Sequence, residues 1–203
     1  MKYHNWQARH PHFSLVDNTK AKKLAASYIT NGMTVLDIGS GDCDFFDFLK
    51  HQGLSCHFHT YDVEAESLAI AEKKGYIPHT TLEMKERFDV VTMFEVIEHL
   101  TMDERVQYAA ILTTLIKPGG YLILSFPHIK SYLSVVNYFD NQDHKIPYVK
   151  VFGLTYLFEQ FTQEKVMYFT PWVNPLKILL SLVTALSFTG IYNNVCVVLK
   201  KKL

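Results

Sequence analysis

The sequence predicts a single α/β domain whose mostly parallel sheet carries helices on both faces. Three observations predict it. Short apolar runs alternate with helical patterns from residue 33 to residue 128. The first apolar run ends in glycines that turn directly into a helix. The 203 residues suffice for one packed domain and are short for two, and they contain no internal repeat.

The elements follow in order. Residues 33–39 (MTVLDIG) form a continuous apolar run closed by glycine, the pattern of a strand buried on both faces. Asp42 to Gln52 reads as a helix with Phe45, Phe46 and Leu49 on one side, and residues 56–63 (CHFHTYDV) as a second strand. An amphipathic helix from Ala65 ends at Gly75, where left-handed backbone is cheap. A weaker strand lies at Ile77–Leu82 and a strong one at Arg87–Phe94. The next helix opens at Asp103 and carries Val106, Ala109, Leu112 and Ile116 at helical spacing, until Lys117-Pro118-Gly119-Gly120 stops it. Tyr121–Phe126 is a fifth strand. Residues 129–150 read as a loop or cap, Leu154, Leu157, Phe158 and Phe161 as a short helix, and 165–171 and 193–200 as two closing strands.

Composition narrows the classes. Apolar residues at 48% and charged residues at 20% describe a folded globule rather than a disordered chain. A formal net charge of +0 provides no basic field for a nucleic-acid backbone, so nucleic acid is not the favoured partner. Cys43, Cys56 and Cys196 make no CxxC pair and no even-numbered framework, which points to a reducing, cytoplasmic setting. The opening MKYHNWQARHPHF has no apolar core of a secretory signal. Ile178 to Tyr192 falls short of the roughly 18 apolar residues of a membrane-spanning helix. It reads as a buried helix, or as one that touches lipid or lines a greasy substrate site.

The chemistry-bearing segment is Asp37-Ile38-Gly39-Ser40-Gly41-Asp42-Cys43. A strand that ends in glycines brings backbone N–H groups close to a ligand at the carboxyl edge of the sheet. A dinucleotide fingerprint GxGxxG would need glycine at position 44, which is Asp44. At the end of the second strand stands Asp62, where a carboxylate could accept both ribose hydroxyls, with Glu64 in reserve. Facing a ligand, Asp62 would add little to fold stability.

VLDIGSGDCDF resembles the first motif of class I S-adenosylmethionine-dependent methyltransferases, an acid followed by GxGxG, with Cys43 in place of the third small residue. TYDVEAESLAIAEKKGY, FDVVTMFEVIEHL and LIKPGGYLILSFPH are similar to the family's second-, fourth- and fifth-strand motifs, in that order. The resemblance covers residues 30–128. It implies a Rossmann-like sheet with an antiparallel last strand near Val195–Leu199, and S-adenosylmethionine as cofactor with S-adenosylhomocysteine as product. It further implies that Asp37, Gly39 and Gly41 line the methionine half, that Asp62 holds the ribose, and that Val63, Phe94 and Glu95 border the cofactor. Residues 1–17 then read as a lid or a plain terminus, and 129–190 as a cap shaping the acceptor pocket.

Glu95, Glu98 and His99 follow the fourth strand. In a helix their i, i+3, i+4 spacing would put all three on one face, able to hold a divalent metal or activate a hydroxyl. The ExxEH pattern resembles metal-using members of the family, among them the ubiquinone-pathway O-methyltransferases and small-RNA 2′-O-methyltransferases, with His128 as the further ligand. His99 as a base without metal, or a trio that merely caps and packs, fits the same residues, and no metal is the preferred reading. The expected activity is methyl transfer to a small-molecule acceptor, with O-methylation slightly favoured. The rivals are a membrane-associated enzyme on a lipid or prenylated acceptor and a cofactor-binding module without turnover.

Overall fold

The computed structural model describes residues 18–128, 151–169 and 194–203. The predicted lid at 1–17, the loop at 129–150 and the apolar stretch 178–192 lie outside the described residues. No helix among the described residues is long and apolar enough to cross a membrane.

Seven strands form one sheet: β1 (Thr34–Ile38), β2 (His57–Tyr61), β3 (Ile77–His79), β4 (Phe88–Phe94), β5 (Ile116–Pro127), β6 (Phe161–Phe169) and β7 (Asn194–Lys201), in the order β3-β2-β1-β4-β5-β7-β6. The pairs among β1 to β5 are parallel, while β7 runs antiparallel to both β5 and β6. The helices are α1 (Thr19–Ala26), α2 (Asp44–His51), α3 (Ala65–Lys73), α4 (Met102–Leu115) and α5 (Val151–Leu157), with a 3-10 turn at Ile97–His99. This is the predicted Rossmann-like sheet, with the antiparallel last strand where the resemblance put it.

Alternation along each strand sends side chains into two cores. On one face Leu36, Ile38, Val91, Met93, Leu122 and Leu124 pack with Leu112 and Leu115 of α4 and Leu154 of α5. On the other, Val35, Val90, Ile123, Cys196 and Val198 pack with Ala21 and Ala25 of α1, Phe45, Phe46 and Leu49 of α2, and Ala71 of α3. Helix α2 follows from its residues: its buried apolar face is flanked by Asp44 and Asp47 in the first turn and Lys50 and His51 in the last, the charge order that complements a helix dipole. Thr101 and Glu104 close a capping box that starts α4.

Three expectations need correction, and helix α1 lies in a stretch to which the sequence pattern assigned no element. Lys117–Gly120 does not end a helix but loops out within β5, since Phe88 pairs with Ile116 and Val90 already with Tyr121. The loop is held by Lys117 Nζ, which donates to both oxygens of Asp89 at 2.8 Å, and a Cβ at Gly120 would stand 2.8 Å from the Asp89 carbonyl oxygen. Helix α4 is turned by one position at its start: Val106 is 56% exposed whereas Arg105 is buried, its Nε donating to the Ile97 carbonyl at 3.0 Å. Phe161 begins β6 rather than closing a helix, and tilts edge-on against Phe158.

Candidate cofactor and active site

Parallel strands β1 and β4 bring Asp37 beside Thr92, and on its other side Asp37 pairs with Thr60 of β2. Asp37 is 3% exposed, and Thr92 Oγ1 donates to its Oδ1 at 2.6 Å. Burial pushes its carboxyl up to about 7, opposed by the Thr92 hydroxyl and the Lys22 charge and assisted by Asp62. An acid poised there can exchange its proton for a cationic partner.

The loop after β1 needs its small residues for different reasons. Gly39 has φ 73°, and a Cβ there would lie 2.4 Å from Val96 Cγ2. Gly41 has φ 52°, and a Cβ there would meet nothing within 4 Å. Gly39 is thus a packing requirement, while Gly41 opens onto free space. Cys43 also takes left-handed backbone, φ 64°, so the departure from a third glycine sits where glycine would be least strained. Its thiol is buried and pushed up to about 11 by that burial.

Asp62 is tied to this loop. Its Oδ2 accepts from the Gly41 N–H and its Oδ1 from the Glu64 N–H, each at 2.9 Å. The expectation that Asp62 contributes little to stability is therefore corrected: its carboxylate joins β2, the glycine loop and the start of α3. Glu64 is the N-cap residue of α3, yet its side chain makes no capping bond. Val63, between the two acids, is 81% exposed and presents an apolar surface at the same edge.

At the end of β4, Phe94 packs edge-on against Phe45, with ring centroids 5.0 Å apart. Glu95 then takes φ 56°, costly for a residue with a Cβ. Its Oε1 accepts from Ser125 Oγ at 2.8 Å and Asn194 Nδ2 at 3.1 Å, and its N–H donates to the Ser125 carbonyl. The left-handed residue and the 3-10 turn replace the helix on which the i, i+3, i+4 argument depended. Glu98 is 4% exposed, and burial together with the Glu95 charge raises its carboxyl well above the usual range. His99, by contrast, is only partly buried. His128 leans edge-on against Tyr168 of β6 at 4.9 Å. Among the described residues no group of three or more His, Cys, Asp and Glu side chains could hold a metal ion.

A family model described as a methyltransferase domain matches residues 9–164. The chain belongs to that methyltransferase family. No curated protein matches it. Among solved structures, this methyltransferase is similar to an S-adenosylmethionine-dependent methyltransferase from Archaeoglobus fulgidus, at 17% identity and a TM-score of 0.68 over 93% of this chain and 100% of that one. The N-methyltransferase NodS from Bradyrhizobium japonicum matches at 15% identity and a TM-score of 0.64 over 92% and 94%. The Haloferax volcanii complex between a methyltransferase activator and a putative methyltransferase matches at 12% identity and a TM-score of 0.72 over 98% and 97%. At these identities the three likenesses establish the fold.

Sequence reasoning missed several residues of this edge: Lys22, Thr92, Arg105, Ser125 and Asn194. Arg105 had an available signal, a lone cation within the apolar phase of α4. The other four reach the site through sheet register or helix docking, which no local pattern encodes.

Proposed function

We propose that this methyltransferase binds S-adenosylmethionine across the carboxyl edges of β1, β2 and β4 and methylates a small-molecule acceptor. The observation that carries the reading is the Gly41 cradle, open where a side chain would go and tied to the Asp62 carboxylate. The residues fit the cofactor. Asp37 is an acid able to meet an ammonium. Asp62 has lone pairs beyond its two backbone bonds for ribose hydroxyls, and Val63 and Phe94 add apolar surface. When bound, the cofactor supplies a sulfonium methyl as electrophile, and the protein's share is orientation and exclusion of water.

Beyond β4 the acceptor would meet Glu95 and His99. Glu95 is fixed by Ser125 and Asn194, and burial raises its carboxyl toward neutrality, so near pH 7 it can hold or take a proton. His99 is the candidate base without metal. These two proton acceptors support a hydroxyl acceptor over an amine, hence O-methylation. A link to the ubiquinone-pathway enzymes would need the metal trio, and the left-handed Glu95 with the 3-10 turn that follows it, in place of one helical face, speaks against it.

Calorimetry tests the cofactor reading. S-adenosylmethionine and S-adenosylhomocysteine should bind in the micromolar range, and NAD should not bind. Tight NAD binding with no response to the other two would sink it. For the chemical step, His99→Ala should lower turnover by about a hundredfold or more, with a chelator having no effect. Loss of turnover to the chelator would restore the metal reading.

A further inference from the structure

The amino edge of β2 and β3 carries a groove, at the opposite end of these strands from Asp62. The span of β2 from His57 to Tyr61 separates the two ends by about 13 Å, at roughly 3.3 Å per residue. The groove encloses about 330 Å³, within the roughly 300–1,000 Å³ of small-molecule sites. Leu54, Phe58 and the exposed Ile77 give it an apolar wall, while Lys50, Ser55 and His57 bring polar groups to it. No described Asp or Glu lines it.

Lys50, near the end of α2, is the informative residue. Its ammonium lies 4.2 Å from the centre of the Tyr76 ring and 5.9 Å from that of Phe58. Those two rings pack with Phe46 at centroid distances of 4.7 to 5.7 Å, so the charge rests on a fixed aromatic platform. The acid one turn earlier, Asp47, is engaged elsewhere. Tyr76 Oη donates to its Oδ1 and Lys74 Nζ to its Oδ2, each at 2.6 Å. Among the described residues Lys50 makes no ion pair. A cation held over rings, away from any carboxylate and beside an apolar wall, complements an anion that carries an apolar body. We propose that this groove is a second ligand site that takes a small organic anion, its carboxylate or phosphate head on Lys50 and its apolar body against Leu54, Phe58 and Ile77. The proposal stands apart from the cofactor reading, since none of these residues lies at the carboxyl edge of the sheet.

The test is amide NMR of the full chain titrated with phenyl phosphate, benzoate and benzylamine, which share a ring and differ in charge. Both anions should shift the Ser55, His57, Phe58 and Ile77 signals saturably in the millimolar range, and benzylamine should not. Tighter binding of phenyl phosphate would assign the head to a phosphate, and tighter binding of benzoate to a carboxylate. Lys50→Met should weaken both anions by about fivefold, the upper range for an exposed charge pair. Lys50→Glu should remove saturable binding altogether. Unchanged signals across the rest of the sheet would identify both variants as folded. Equal shifts with benzylamine, shifts confined to other residues, no saturation with either anion, or affinities unaltered by both substitutions would overturn the proposal.

Discussion

Replacing Asp37 by Asn should make the protein without cofactor more stable, and only above acidic pH. The carboxyl is 3% exposed and pushed from 3.8 to about 7, mainly by burial. At about 1.36 kcal/mol per unit, a shift of roughly three units amounts to about 4 kcal/mol. The sign follows from linkage. The folded-state pKa is raised, so the folded chain holds its proton where the unfolded chain has released it, and stability falls as pH rises from about 4 to about 7. Asn keeps a carbonyl oxygen to accept from Thr92 and carries no charge. Asp37→Asn should therefore match wild type near pH 4 and exceed it by up to about 4 kcal/mol at pH 8. Urea denaturation of both proteins at the two pH values measures this directly. A gain independent of pH, or none at pH 8, would refute the argument that Asp37 is held at an electrostatic cost.

Asp62→Ala should weaken S-adenosylhomocysteine binding and also cost about 2 kcal/mol of stability, because two backbone N–H groups lose a charged acceptor; an unchanged melting temperature would show that the two bonds contribute nothing. Gly39→Ala should lower the melting temperature more than Gly41→Ala, since only the former adds a clash with Val96, while Gly41→Ala should chiefly reduce cofactor affinity by filling the cradle; the reverse ranking would contradict the assignment. His59 Nδ1 and His79 Nε2 lie 2.8 Å apart, and burial lowers both pKa values, with neighbouring histidine charge adding at His59 and Glu86 opposing at both. Because these folded-state values are depressed, wild type should lose stability relative to His79→Phe as pH falls below about 6.5, read from urea midpoints at pH 7.5 and 5.

The legible parts of this chain were those in which one local pattern has one physical cause. Continuous apolar runs marked β1 and β4 because both of their faces are covered, and Gly39 and Gly41 marked the loop because positive φ favours glycine. Asp62 could be placed because it directly follows a strand. What escaped notice depends on relations across the chain. The His59–His79 pair spans two strands, and Glu95 meets Asn194 through β5 and β7. Glu95 itself was misread for another reason: a glutamate at φ 56° has no sequence signature, and ExxEH looks helical unless that kink is known. Arg105 inverted the expected phase of α4 because it serves the Ile97 carbonyl instead of solvent.

These departures share one location. Cys43 and Glu95 are the two described non-glycine residues with positive φ, and both stand where the chain leaves a parallel strand at its carboxyl edge, as does the buried acid Asp37. Left-handed backbone costs roughly 1–2 kcal/mol at each such residue. The two cores beneath, built on the buried residues of β1, β4, β7 and the second half of β5, supply the stability that tolerates these costs. A ligand that ionised Asp37 favourably and filled the space beside Gly41 would relieve part of the burden on binding. Cofactor association near pH 6.5 should then release protons, seen as a binding enthalpy that changes with the ionisation enthalpy of the buffer. Asp37→Asn should abolish that buffer dependence even if some affinity survives. A buffer dependence retained in Asp37→Asn would place the released proton on another group, and would separate the strain at this edge from its electrostatics.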